Sequence, residues 1–121
     1  MTETQSYIIE IINLVPDNSV CFIQLPSNEN PDFLNLMTLS PFEYYKQIIL
    51  TPSNKESIIK VIEAENVEEY FQSIEIRFNE KLLFEGYDGI KYGTISRSLQ
   101  LTDRFIYNFI NEEMCIISEE W

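Results

Sequence analysis

The sequence predicts a small α+β domain in which residues 1–121 form a single unit. Apolar residues make up 45% of the chain, and its length suits one hydrophobic core but not two. The apolar residues follow a helical period near the N-terminus and alternate as in a strand further along. We therefore expect N-terminal and central helices packed against a short antiparallel sheet or hairpin, then a C-terminal helix and a short closing strand.

The first two elements are predicted by period and by turn residues. Residues 7–15 place apolar side chains on one helical face, and the Pro-Asp-Asn-Ser segment 16–19 ends that helix. Residues 20–25 are β-branched, aromatic and flanked by turn residues, which indicates a buried strand. Residues 27–31 are rich in Asn and Ser and contain Pro31, which indicates a loop.

Two capping boxes predict the starts of two central helices. Residues 40–43 read Ser-Pro-Phe-Glu, with Leu39 and Tyr44 placed as a hydrophobic staple. Residues 53–56 read Ser-Asn-Lys-Glu and precede an apolar helical face. Because residues 58–62 are mostly β-branched, a strand remains an alternative for that segment.

The period changes from helical to alternating near Ser73, which predicts a β-hairpin. Its second strand covers residues 81–85, after a two-residue turn at 79–80. Residues 86–89 contain two glycines and predict another turn, with residues 90–92 as a third short strand.

The C-terminal part is predicted to hold a helix and a closing strand. Thr102 is placed as an N-cap, and residues 114–117 form a short apolar run. The inner face of the helix is expected to comprise Phe105, Ile106, Phe109 and Ile110.

Residues 95–111 also resemble a helix-turn-helix, which makes a transcriptional regulator an alternative function. In that motif the second helix enters the major groove of DNA. The segment 91–111 has a net charge of +2, whereas the remaining residues sum to −14. DNA binding requires several cations that neutralise phosphates, so we do not expect a nucleic-acid partner.

The composition argues against an enzyme. The chain contains no histidine, which removes the most frequent general base and every catalytic triad that depends on it. The two cysteines, Cys21 and Cys115, have no metal-ligand spacing, and no EF-hand motif is present. A carboxylate-based hydrolase or metal binder is a weaker hypothesis, since nothing singles out two of the twenty acidic residues. We expect no cofactor and no metal.

The acidic surplus predicts a basic protein partner. Twenty acidic residues face eight basic ones, which gives a formal net charge of −12 and a pI near 4.2. Aromatic side chains beside carboxylates on loops are typical of binding surfaces. The candidate partner-binding residues are Glu65, Glu68, Glu69, Tyr87, Asp88, Tyr92, Glu112, Glu113, Glu119, Glu120 and Trp121.

The compartment expected from the sequence is the cytoplasm. Residues 1–6 lack the basic start of a secretory signal, and Glu10 and Asn13 interrupt the apolar stretch that follows. The cysteines are then expected to be reduced and buried. The apolar runs are too short to span a bilayer, and the acidic charge disfavours anionic lipid.

A small, acidic, histidine-free α+β domain resembles the immunity proteins that bacteria make against nuclease toxins, including those of contact-dependent growth inhibition systems. Residues 86–96, 105–110 and 114–120 are similar in type to the C-terminal part of such proteins. The resemblance implies a non-enzymatic protein that binds and neutralises a cationic toxin domain. It assigns no individual residue to the contact.

Overall fold

A computed structural model describes residues 1–26 and 30–121 of the chain. The helices there are α1 (Glu3–Leu14), α2 (Pro31–Leu34), α3 (Pro52–Glu65) and α4 (Asp103–Phe105), which continues as a π-helical turn (Ile106–Ile110). A 3₁₀ helix covers Val67–Tyr70. The strands are β1 (Ser19–Gln24), β2 (Thr38–Leu39), β3 (Tyr45–Leu50), β4 (Ser73–Phe78), β5 (Lys81–Tyr87), β6 (Tyr92–Ile95) and β7 (Cys115–Ile117).

The seven described strands form one open sheet in the order β2-β3-β1-β4-β5-β6-β7. Neighbouring strands are antiparallel except for β6 and β7, which are parallel. The α+β class and the single core predicted from the sequence are confirmed, whereas the sheet is larger than the predicted hairpin.

Helix α1 begins earlier than its apolar stripe because Thr2 and Gln5 form a capping box. Gln5 N–H donates to Thr2 Oγ1 at 3.1 Å, and Thr2 N–H donates to Gln5 Oε1 at 2.6 Å. Tyr7, Ile8 and Ile11 are buried, as the helical period predicts. The N-terminal helix and its end before Pro16 are confirmed.

The helices pack on one side of the sheet, which divides the strand residues into two sets. Cys21 and Ile23 of β1, with Ile74 and Ile76 of β4, point toward the helices and are buried in the core. The alternate residues, such as Phe22, point to the opposite side, which we call the open face. Among the described residues, the buried apolar side chains of the helices all belong to the core cluster, which does not include Phe22.

The helix predicted at residues 40–43 is wrong. Ser40 Oγ instead accepts a hydrogen bond from Phe42 N–H at 2.8 Å, which closes a local turn, and Tyr44 has a φ of 70°. The strand β3 follows, because Ile48 and Leu50 alternate with exposed Ile49. Long-range pairing with β1 therefore overrides a local capping signal.

The second central helix is confirmed, but its cap lies two residues earlier than Ser53. Thr51 Oγ1 accepts from Asn54 N–H at 3.1 Å, and Pro52 occupies the first helical turn. Ile58 and Ile62 are fully buried on one helical face, which rules out the strand alternative. The predicted loop at 27–31 is partly wrong, because Asn30 caps α2; residues 27–29 lie outside the described residues.

The hairpin of β4 and β5 is confirmed, with Asn79 and Glu80 both at positive φ in its turn. The turn predicted at 86–89 is displaced, because Gly86 lies inside β5 opposite Gly93 of β6. A Cβ at Gly86 would lie 2.9 Å from Ile74 Cγ2, so close packing rather than a turn requires glycine there. The third strand consequently starts at Tyr92, not at residue 90.

The helix-turn-helix interpretation is wrong. Residues 92–95 are β6, and Ser96 Oγ accepts from Ser98 N–H at 3.1 Å to form a turn, so no first helix exists. Thr102 is the predicted N-cap, since its Oγ1 accepts from Phe105 N–H at 3.1 Å. Phe105 is buried, but Ile106 is exposed because the helix widens into a π turn. The closing strand is confirmed as β7.

Candidate binding surface on the open face

The open face carries a cross-strand pair of tyrosines. Tyr87 ends β5 and Tyr92 begins β6, and the two residues are directly opposite each other in the sheet. Their exposed fractions are 41% and 51%, so both side chains offer aromatic surface to a partner. Asp88 follows Tyr87 in the connecting turn and is exposed. The structure therefore brings three predicted site residues together.

Charged side chains lie next to this pair on the open face. Glu85 is opposite Thr94 on β6 and opposite Glu75 on β4. Arg77 Nε donates to Glu75 Oε2 at 2.8 Å, and this hydrogen bond raises the pKa of the guanidinium. Arg77 is thus the positive charge beside both Glu75 and Glu85. Glu85 is exposed, so its carboxylate is accessible to a partner.

A cavity of about 240 Å³ extends the open face toward β3. Its lining consists of Phe22, Phe42, Tyr45, Glu75 and Arg77. The rings of Phe22 and Phe42 pack edge to face with their centroids 5.0 Å apart, and Phe42 lies in the loop before β3. No pattern in the sequence was interpreted as this cavity. The signal that could have indicated it is the aromatic residue at an outward position of β1, where a polar residue is the usual choice.

The acidic residues of the C-terminal segment lie at both ends of β7, and the end with Glu112 and Glu113 is next to Tyr92, because Gly93 N–H donates to Met114 O at 3.0 Å. Glu112 and Glu113 precede this edge strand, and Glu119 and Glu120 follow it. Trp121 is not a free tail, because its carbonyl accepts from Arg97 N–H at 2.9 Å and its N–H donates to Ser118 Oγ. The predicted site residues consequently occupy at least two separate regions of the surface.

Three of the predicted partner-binding acids, Glu65, Glu68 and Glu69, do not lie together on one helix. Helix α3 ends at Glu65, because Asn66 adopts a left-handed conformation with φ 50°. Glu68 and Glu69 then lie on the 3₁₀ helix, where Glu69 is exposed and Glu68 is only 2% exposed. Burial raises the pKa of the Glu68 carboxyl. Glu68 is therefore not part of an exposed acidic surface.

Four of the eight basic residues are paired with carboxylates in the described part of the chain. The pairs are Lys55–Asp17, Lys60–Glu56, Arg77–Glu75 and Arg104–Glu10. Most of the acidic residues are exposed and have no such counter-charge. The molecule therefore presents a negative potential over much of its surface.

Cys21 and Cys115 are free and buried, as predicted. Across residues 1–26 and 30–121, no three side chains of the metal-ligating types come together. The described helices are all too short or too polar to cross a bilayer.

Comparison of the chain with protein-family models, with curated proteins and with solved structures finds no significant match.

Proposed function

We propose that this chain is an immunity protein that binds a cationic toxin domain, of the nuclease class, through its open face. The observation that carries the proposal is the exposed Tyr87–Tyr92 pair on an uncovered sheet face, beside the carboxylates Glu85 and Asp88. Aromatic anchors surrounded by complementary charge are the usual source of affinity in protein interfaces.

Charge complementarity supports the cationic partner. Nucleases hold the phosphate backbone with Lys and Arg, so their binding clefts are positively charged. A protein with net charge −12 attracts such a cleft over several ångströms and accelerates encounter. Fast capture suits an inhibitor that must act before its target does, and it requires no chemistry from the inhibitor.

The test uses the protein encoded by the neighbouring gene, purified and mixed with this chain. We expect a 1:1 complex whose association rate falls steeply with salt. Tyr87→Ala and Tyr92→Ala are each expected to weaken binding by about 30-fold, the effect of losing a ~2 kcal/mol anchor.

Tyr107→Ala is the matched control, because Tyr107 is 72% exposed but lies on the π turn. Its affinity should equal that of the unmodified chain. No complex with the neighbouring product, or equal losses in all three tyrosine variants, would contradict the proposal.

A further inference from the structure

A second cavity lies where α1, the 3₁₀ helix and the β5–β6 turn meet. It has a volume of about 370 Å³ and is lined by Thr2, Thr4, Glu68, Glu69, Gly89 and Lys91. Gly89 N–H donates to Gln72 O at 3.1 Å, which fixes the turn against the segment after the 3₁₀ helix. Tyr87 and Tyr92 flank the same turn, so the cavity adjoins the tyrosine pair.

The Glu68 carboxylate in this cavity is only partly satisfied. Its Oε1 accepts a long hydrogen bond of 3.4 Å from Thr2 Oγ1. Its Oε2 is buried and has no hydrogen-bond partner among the described residues. A buried carboxylate oxygen without a donor destabilises the folded chain by its lost hydration. An unsatisfied buried oxygen requires an explanation, and a donor supplied by a bound group is one that fits its place in the lining of a cavity.

We propose that this cavity binds a primary ammonium group, supplied by a lysine side chain of the partner protein. The ammonium would donate to Glu68 Oε2 and to the hydroxyls of Thr2 and Thr4, with Glu69 adding negative charge at the rim. The source of the lysine rests on the proposed function, but the affinity for ammonium does not.

The donor geometry favours lysine over arginine and over a metal ion. With Oε1 already accepting from Thr2, Glu68 offers one oxygen, which suits a compact ammonium better than a two-pronged guanidinium. A divalent cation would find only two carboxylates in the lining, and Lys91 would repel its double charge about twice as strongly as the single charge of an ammonium. Lys91 itself forms no ion pair within 4.0 Å with any described carboxylate.

The experiment measures the pKa of Glu68 by carbon-detected NMR on the intact chain, with the signal assigned through Glu68→Gln. Titrations in butylammonium chloride and in tetramethylammonium chloride are compared at equal ionic strength. Butylammonium should lower the pKa by about one unit at saturation, because a nearby cation favours the charged carboxylate. Tetramethylammonium has no N–H donor and should leave the pKa unchanged. Equal curves in the two salts would overturn the proposal.

Two variants sharpen the result. Glu69→Gln should keep most of the response, because Glu69 supplies charge but not the buried oxygen. Lys91→Gln should keep or increase the pKa response to butylammonium, because the variant removes a positive charge from the cavity lining. A response that emerges only in Lys91→Gln would show that the chain's own lysine fills the cavity, and would refute a partner lysine.

Binding to the neighbouring gene product separates this inference from the proposed function. Glu68→Gln should weaken that complex by about tenfold or more, the effect of losing a charge-assisted hydrogen bond. If butylammonium lowers the pKa of Glu68 but no complex forms with the neighbouring gene product, the ammonium site is supported and the proposed function is contradicted. A complex unaffected by Glu68→Gln would remove the partner lysine alone.

Discussion

Gly93 on β6 lies directly against the hydroxyl of Tyr7, which reaches the sheet from α1. A Cβ built at Gly93 would stand 2.5 Å from Tyr7 Oη and 2.7 Å from the nearest ring atom of Phe84. Tyr7 and Phe84 are both fully buried and meet edge to face with centroids 5.8 Å apart. The absence of a side chain at Gly93 therefore sets how closely α1 approaches the sheet.

Gly93→Ala should destabilise the fold by about 3 kcal/mol, the upper range for overpacking a dense core. Denaturant unfolding measures this loss, and Thr94→Ala on the open face should change stability by less than about 1 kcal/mol. Adding Tyr7→Phe to Gly93→Ala should restore part of the loss, because the nearest atom is removed while Phe84 remains. An alanine variant as stable as the unmodified chain would show that α1 can shift away.

Tyr7→Phe alone should leave stability unchanged or raise it by up to about 1 kcal/mol. Tyr7 Oη is buried without a hydrogen-bond partner among the described residues, apart from the Cys115 thiol beside it, which is a weak partner. Removing the hydroxyl therefore gives up little hydrogen bonding and removes the cost of burying an unsatisfied polar group. The ring keeps its contacts with Phe105 and Phe109. Thermal unfolding of the single variant decides the matter, and a large drop in Tm would reveal a bond that the hydroxyl makes in solution.

Lys55 and Lys60 lie on the same helix but should differ in their contributions to stability. Lys55 Nζ donates to the carbonyl of Val15, the C-cap of α1, at 2.5 Å and pairs with Asp17 at 3.1 Å, and its side chain is only 13% exposed. Lys60 makes an exposed pair with Glu56 at 3.0 Å.

Lys55→Met should cost about 1–2 kcal/mol, since a buried carbonyl loses a charged donor. Lys60→Met, the matched control on α3, should cost about 0.3–0.5 kcal/mol. Urea unfolding of both variants tests the difference. Equal effects would mean that the bond from Lys55 to the end of α1 adds nothing to stability.

Local periodicity predicted the element type in several segments with one buried face, but not in β3. The stripe of α1 and the alternation from Ile74 onward were sufficient, because burial repeats with the period of the element. The helix predicted from the capping box at residues 40–43 was wrong because a Ser-Pro turn can have the same residues as a helix start. The pairing of β3 with β1 cannot be recognised from any local pattern. Gly86 was predicted as a turn residue because the local sequence does not show that its Cα packs closely against Ile74 of the neighbouring strand.

The candidate surface was only partly predictable for the same reason. Tyr87 and Tyr92 were chosen individually as aromatics beside acids, and the register of β5 and β6 made them a pair. Glu68 was predicted to be exposed with its acidic neighbours, but Asn66 ends the helix and turns it inward. Which of twenty acidic residues becomes buried depends on contacts between distant segments, and spacing along the chain contains little of that information.

The two thiols should resist modification in the folded protein. Burial raises the pKa of Cys115 to about 11 and raises that of Cys21 further, so neither is a thiolate near neutral pH. Reaction with iodoacetamide at pH 8, followed by mass spectrometry, should leave both cysteines intact until the chain unfolds. As the pH approaches 11 in the native state, Cys115 should react before Cys21. Rapid labelling at pH 8 would indicate local opening around β7.

Stability should decline with rising pH because of Glu68. Its pKa in the folded chain lies above the ordinary value, since burial disfavours the charged carboxylate, and the unfolded chain has the ordinary value. Between those two pKa values the folded state binds more protons than the unfolded state, so raising the pH through that window lowers the free energy of unfolding. Glu68→Gln removes this term and should be more stable than the unmodified chain at neutral pH, with the advantage shrinking in acid. Glu69→Gln, which replaces an exposed carboxylate on the same 3₁₀ helix, should follow the pH dependence of the unmodified chain. Denaturant unfolding of the three proteins across this pH range tests the argument, and parallel curves for all three would show that the Glu68 carboxylate is solvated after all.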